Sequence, residues 1–137
     1  MENYFYIAFK EAIKAYKKNE IPVGAIIVKN NKIISASHNN RQKYHFIFGH
    51  AEINSILKAE KKLKDWRLND CEMYVTLVPC EMCQNIIKES RIKKVYYLLN
   101  NENIRLSDNI YIQTNDCKEL RLEYKNLLDK FFNKLRS

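Results

Sequence analysis

Proline and glycine are almost missing from this 137-residue chain, at two each, and acidic side chains number 16 against 24 basic ones. With no Pro- or Gly-rich stretch there is no linker at which to divide it, so residues 1–137 are expected to form one domain. A content of 46% hydrophobic and 12% aromatic residues suffices for a single core. No apolar run approaches the roughly 20 residues that span a bilayer, and Met1-Glu2-Asn3-Tyr4 lacks the basic-then-apolar order of a signal peptide. The expectation is a cytoplasmic protein with no membrane partner. Internal repeats and low-complexity tails are also absent.

Cysteine is limited to four positions, which in a cytosolic chain argues for metal ligation or free thiols rather than disulfides. Cys71 and Cys117 are assigned to packing. The net charge of +8 points to a polyanionic partner or to no more than a soluble surface. Abundant Lys, Asn and Ile beside so little glycine is what a codon-level compositional bias produces, and it weakens the first of these readings.

From Phe5 onward, Ala8, Phe9, Ala12, Ile13 and Tyr16 recur at helical spacing with Lys10, Lys14 and Lys17 opposite, which predicts an amphipathic first helix packed on the core. Pro22 ends the connection. Val23 to Val28 and Lys32 to Ala36, joined through Lys29-Asn30-Asn31, predict an antiparallel hairpin. Gly24 inside its first strand implies a close approach to the backbone there. Ser37 to Gly49 has no periodicity and is expected to be loop. A second helix opens at His50 and runs to about Lys62, with Ile53, Ile56 and Leu57 inward.

Cys71 to Leu77 is a third strand, and Pro79 suits the first position of a third helix, where a missing N–H is harmless. Val95 to Leu99 follows as a fourth strand, entered from the basic run Arg91-Ile92-Lys93-Lys94. Asn100 to Asn109 is polar loop, and Asn109 to Gln113 a short fifth strand. A last helix from about Asp116 to Leu135 directs Leu120, Leu127, Leu128, Phe131 and Leu135 inward. Strands alternating with helices predict an α/β layered domain.

The chemistry concentrates in Pro79-Cys80-Glu81-Met82-Cys83 and His50-Ala51-Glu52. Cysteines three apart at a helix start present two thiolates to one ion, and His50 can supply a neutral nitrogen as a third ligand. Three protein ligands leave the fourth tetrahedral position to water, which separates a catalytic zinc from a structural one. A C-x-x-C pair alone would equally suit a redox couple or two buried thiols. A zinc finger would need a second His or Cys pair at short spacing, which the chain lacks. In mid-helix, residues two apart face opposite ways, so His50 and Glu52 converge on one zinc only if His50 lies in the first turn; Gly49 before it fits such an entry. The ion then lies between two helix N-termini, whose partial positive charge favours thiolates. H-x-E with P-C-x-x-C is the pattern of zinc-dependent nucleobase deaminases, in which the glutamate is general acid and base rather than ligand.

The flanks narrow this pattern. Ile21-Pro22-Val23-Gly24-Ala25, His50-Ala51-Glu52-Ile53, Tyr74-Val75-Thr76-Leu77, Ser90-Arg91-Ile92 and Phe131-Phe132 together resemble the tRNA adenosine deaminases of the TadA type over nearly the whole chain. The resemblance implies a three-layer cytidine deaminase-like fold, with a central mixed sheet of about five strands flanked by helices. It implies one Zn2+ per chain held by His50, Cys80 and Cys83, with Glu52 as the proton carrier. It also implies the tRNA anticodon loop as partner, wobble adenosine converted to inosine, and a homodimer with pockets near the interface. Asn39 matches the family's substrate-bonding asparagine, its alternative being a turn residue of Asn39-Asn40. Backbone N–H groups at Ala51 and near Cys80 would complete the cage around the base. The Arg91 to Lys94 run, Lys130, Lys134 and Arg136 are candidates for phosphate contacts, or equally a solvated face.

Three departures bear on the substrate. Phe46-Ile47-Phe48-Gly49 stands where the family reads Asp-Pro-Thr-Ala, at the expected mouth of the pocket; Val78 replaces a Glu before the Pro-Cys; and Asn100-Asn101-Glu102-Asn103 replaces a glycine-rich segment. Two rival readings stay open: a deaminase of a free base or nucleoside (guanine, cytosine or cytidine), and a zinc-stabilised RNA-binding subunit without catalysis. Glu52 argues against the second, since a structural site needs no general base.

Overall fold

The computed structural model describes residues 2–136, the side chains of Glu2 and Tyr44 excepted. Along the chain run α1 (Glu2–Lys17), β1 (Gly24–Lys29), β2 (Lys32–His38), α2 (Arg41–Tyr44), α3 (Ala51–Leu63), β3 (Cys71–Leu77), α4 (Glu81–Glu89), β4 (Lys94–Leu99), β5 (Tyr111–Gln113) and α5 (Lys118–Arg136). One sheet takes the order β2-β1-β3-β4-β5. Its first three strands pair antiparallel, and β3, β4 and β5 run parallel. The mixed five-strand sheet is therefore as expected.

Alternation along the strands sorts the core into two layers, because successive side chains point to opposite faces. Ala25, Ile27, Met73, Val75, Val95 and Tyr97 pack with Ala51, Ile56, Ala59 and Ile87 under α3 and α4. Ile26, Val28, Tyr74 and Leu98 pack with Phe5, Ala8, Phe9 and Ala12 of α1 and Leu120, Tyr124 and Leu128 of α5. Helices thus cover both faces, which gives the three-layer arrangement. Cys71 and Cys117 are buried free thiols within these cores.

Asn30 and Asn31 turn the β1–β2 hairpin, both in the left-handed region (φ 50° and 63°). Two positive φ values between the strands are what a tight hairpin turn requires, and asparagine tolerates them in place of glycine. At Gly24 an added Cβ would come within 1.9 Å of the Ala8 carbonyl oxygen. The close approach expected there is the backbone of α1.

Five expectations are corrected. Leu57, expected on the inner face of the second helix, is 54% exposed on α3. The Ser37–Gly49 loop contains a helical turn, α2, held from outside: the buried carboxylate of Glu20 accepts the N–H groups of Gln42 (3.0 Å) and Lys43 (2.8 Å). Strand β2 continues two residues past Ala36. Pro79 lies outside its helix, because Cys80 is the cap and α4 begins at Glu81. Leu135 points to solvent, 66% exposed, while Tyr124 is buried in its place and donates its hydroxyl to the Pro22 carbonyl at 2.7 Å.

Candidate active site

His50 and Cys80 occupy the same structural position, the N-cap, on α3 and α4. Both backbones are extended (φ −95°, ψ 146° and φ −69°, ψ 170°). A cap residue is off the helical lattice, so its side chain is free of the 100° rotation that would separate it from its neighbours. This resolves the spacing of His50 and Glu52: the histidine precedes the helix, Glu52 lies in its first turn, and both line one cleft. On α4, Cys83 closes the same group from inside the first turn.

The His50 Nδ1 atom stands 3.4 Å from Cys83 Sγ and 3.9 Å from Cys80 Sγ. The three ligand atoms lie within 4.8 Å of one another. Metal bonds of about 2.1 Å to nitrogen and 2.3 Å to sulfur make the N···S edge of a tetrahedron about 3.6 Å. The donors therefore already sit at the spacing a zinc ion needs, and two soft sulfurs with an imidazole are the set zinc prefers.

Charge in the group is distributed unevenly. Cys80 is held down to about 4, chiefly by its hydrogen bond with the Cys83 thiol and then by the His50 ring. The deeper Cys83 is pushed up by the same contact with Cys80 and by burial. The contact with Cys80 also raises His50. Burial lifts the Glu52 carboxyl to about 7.

Asn39 turns its Oδ1 to the Ala51 N–H at 2.7 Å. Ala51, expected to offer that N–H to a base, gives it to Asn39 instead, which fixes the asparagine's orientation and leaves its amide nitrogen for the cleft. The loop between Asn39 and His50 is closed at its neck by the Asn40 N–H to the Gly49 carbonyl at 2.9 Å. It is also pinned by Asn54 Nδ2, which donates to Asn40 Oδ1 and the His38 carbonyl. Gly49 is needed there because a Cβ would meet the Arg41 backbone at 2.6 Å.

Asn39, His50, Glu52 and Cys80 line a cleft of about 170 Å³ whose apolar walls include Ile21, Val78 and Ile104. Val78, one of the three departures, thus adds to an apolar wall. Asn101 of the altered 100–103 segment borders the cleft as well. Phe46, Ile47 and Phe48, expected at its mouth, are not among its lining residues. They point outward, 48, 65 and 41% exposed, the two phenyl rings edge to face at 5.5 Å.

A larger cavity of about 840 Å³ shares Ile21 and Asn39 with the cleft and is lined by Lys18, Arg41 and Lys43 and by Phe131 and Leu135 of α5. None of the basic residues singled out by sequence lines this cavity. Arg91 sits over the Trp66 ring at 5.4 Å, beyond the far end of α4, and Lys130 and Lys134 lie over Tyr16. Lys18, Arg41 and Lys43 were hidden by even spacing in a lysine-rich chain. Glu20 and Gln84, both buried, carried one signal: a polar residue on an otherwise inward face.

Comparison with known proteins agrees with this geometry. Residues 1–99 match the sequence model of the cytidine and deoxycytidylate deaminase zinc-binding region. A tRNA-specific adenosine deaminase of Aquifex aeolicus (strain VF5) is 37% identical over 145 residues, covering 99% of this chain and 96% of the relative. A solved chain from work on A-to-I editing by tRNA:A34 deaminases at the wobble position of transfer RNA superposes with a TM-score of 0.77 at 28% identity, covering 82% of this chain and 97% of its own. The guanine deaminase of Bacillus subtilis superposes with a TM-score of 0.69 at 35% identity, covering 72% of this chain and 64% of its own.

Proposed function

This chain belongs to the tRNA-specific adenosine deaminases, within the cytidine and deoxycytidylate deaminase family, and on that premise we propose that it converts adenosine to inosine at the wobble position of a tRNA anticodon, with Glu52 as its catalytic residue. It is a zinc-dependent hydrolase. The observation that carries the assignment of roles is the convergence, on two helix caps and two first turns, of His50, Cys80 and Cys83 with a buried carboxyl beside them.

In this reading His50, Cys80 and Cys83 would hold one zinc ion, which would supply a Lewis acid that lowers the pKa of a neighbouring water toward neutrality. Glu52 accepts a proton from that water and delivers it to a ring nitrogen of the adenine as the water oxygen bonds to the carbon bearing the amino group, then takes the second proton from that oxygen and passes it to the departing amino group. Water's oxygen replaces ammonia on the same carbon, and the carboxylate is regenerated. Asn39, its oxygen occupied by Ala51, donates from its amide nitrogen to the base edge. Burial of the cleft among Ile21, Val78 and Ile104 excludes bulk water from the proton's path.

The neighbouring cavity supports an RNA substrate. A target base must be splayed out of its loop to enter a pocket of this size, and the nucleotides beside it then need a surface. Lys18, Arg41 and Lys43 offer cations for phosphates, and Phe131 offers an aromatic edge for a base.

Two further features belong to the proposal. A second copy of the chain covers the shallow apolar groove formed by Ile53, Ile56 and Leu57 of α3, Ile86 of α4 and Trp66 of the loop after α3, and the exposed Phe46–Phe48 run. Sedimentation at micromolar concentration is expected to give a dimer mass, and a monomer there would remove this part. The enzyme works in the cytoplasm; among the described residues no helix is long and apolar enough to cross a membrane.

A second reading, deamination of a free purine, is favoured by the likeness to the guanine deaminase. One assay separates them. Zinc-loaded protein is incubated with tRNA transcripts bearing A at the wobble position and, in parallel, with guanine, cytosine, adenosine and cytidine, with Glu52→Ala as blank. Inosine in tRNA, with binding that weakens steeply as salt rises, is the expected outcome. Ammonia from a free base and none from tRNA would replace the proposal by the second reading.

A further inference from the structure

Gln84 follows Cys83 on α4 and is 2% exposed. Its side-chain amide has two donor hydrogens and two acceptor lone pairs, and all four are used. Nε2 donates to the Pro79 carbonyl at 3.0 Å and to the Arg105 carbonyl at 3.1 Å. Oε1 accepts both the N–H and the hydroxyl of Ser107, each at 3.0 Å. The Pro79 carbonyl immediately precedes the Cys80 cap. Arg105 and Ser107 lie on the opposite side, in a segment with neither helix nor strand between β4 and β5.

That segment forms part of the cleft. Asn101 and Ile104 line it together with His50, Glu52 and Cys80. Most of the segment is exposed; Ile104, Leu106 and Ile110 rest against the core beneath α3 and α4. Apolar contact of this kind is non-directional, so it keeps the segment down without fixing its register or its distance from Cys80. Apart from the Val95 N–H bond to the Ile110 carbonyl at the segment's far end (3.0 Å), the directional contacts that tie residues 101–107 to the zinc-side wall come from Gln84. A leucine in its place would fill the same space and leave three backbone groups, at Pro79, Arg105 and Ser107, to find other partners.

We propose that Gln84 is a positioning residue for substrate: it clamps the 101–107 segment to the zinc-side wall and so sets the width of the cleft that receives the base. The role rests on the deaminase reading above. It predicts an effect on how tightly substrate is held, because a wall that is free to drift loses contacts made alike in the ground state and the transition state, which raises KM and spares kcat.

The test uses the full zinc-loaded chain and three variants, Gln84→Ala, Ser107→Ala and the double substitution. Ser107→Ala lies on an exposed segment, removes one of the four bonds and leaves α4 untouched. Zinc is expected to stay at one per chain in all three. In Gln84→Ala, hydrogen exchange at the Ser107 amide is expected to accelerate by about tenfold or more, since its acceptor is gone. KM for wobble-A tRNA is expected to rise by about tenfold with kcat within about twofold, Ser107→Ala giving a smaller rise in the same direction. The double variant is expected to be no worse than Gln84→Ala, as for two members of one network. Unchanged exchange at Ser107 would overturn the clamp. Faster exchange with unchanged KM, or a fall in kcat that tracks lost zinc, would overturn the positioning role. Failure of the functional reading shows separately, as wild-type protein that makes no inosine, and exchange at Ser107 then decides the clamp alone.

Discussion

A carboxyl group only 4% exposed normally has little use for its charge, because burial penalises the ionised form. Glu52 lies in that situation, with burial as the largest influence on it. It gains its chemical value from position, on the first turn of α3 just behind a histidine that caps the same helix. Glu52→Gln keeps the size and removes the proton carrier. Turnover on tRNA is expected to fall by about 10²–10⁴-fold, with zinc still at one per chain by metal analysis; activity within tenfold of wild type would remove Glu52 from its role. Cys83→Ser tests the other half of the site. A hydroxyl is a harder and far less acidic donor than a thiol, so bound zinc is expected to drop well below one per chain, and full occupancy would contradict the ligand assignment.

Elements fix these residues through contacts that are close and specific. Strand β1 runs so near α1 that a methyl group at position 24 would meet the Ala8 carbonyl oxygen and the Ala12 amide nitrogen, both backbone atoms that cannot swing aside. Gly24→Ala is therefore expected to lower stability by about 3 kcal/mol, read as a shift in the urea midpoint; a midpoint within error of wild type would mean that α1 can slide. The position of this glycine, like the span Cys71–Leu77, was legible because strand patterning is local and dense there. Helix α2 was not legible. Four residues without apolar period carry no signal of their own, and the groups that stabilise them belong to Glu20, about twenty positions earlier. The placement of Pro79 failed for a related reason: a proline suits the residue before a cap as well as the residue after it, and only the cysteine's extended backbone decides. In α5 the heptad-like leucines pointed to Leu135, yet residues 132–136 are all exposed, so the final turn faces water, and the inward stripe is Leu120, Tyr124, Leu128 and Phe131. The grouping of His50, Cys80 and Cys83 with Glu52 beside them could be expected from two short motifs, whereas Gln84 and the Lys18–Arg41–Lys43 group depend on which loops the fold brings together.

Across the whole molecule, one ion-pair group ties the helix on one face to the edge of the sheet. Glu11 on α1, largely buried, accepts His38 Nδ1 at 2.9 Å at the end of β2 and Lys14 Nζ at 2.7 Å. The His38 hydrogen bond, followed by Lys14 against the opposing cost of burial, holds the Glu11 carboxyl down to about 2 from 4.5. The folded value lies below the unfolded one, so the stabilisation is fully present above about pH 5 and is lost as pH falls from there toward 2. Its ceiling is about 3 kcal/mol. Urea midpoints of wild type and Glu11→Gln are expected to differ most at pH 6, to differ by about half as much at pH 3 and to converge only as pH approaches 2; a gap that stays constant with pH would show that the carboxylate's charge contributes nothing.

The hydrogen bond from Tyr124 to the Pro22 carbonyl joins positions 102 residues apart. Residues 23–111 supply all the buried members of the zinc-side core, whereas the opposite core draws on both α1 and α5. Closing the zinc-side core therefore needs only contacts internal to that span, whereas closing the other face requires α1 and α5 to meet, so fraying of either helix opens the face beneath them and leaves the metal-binding face packed.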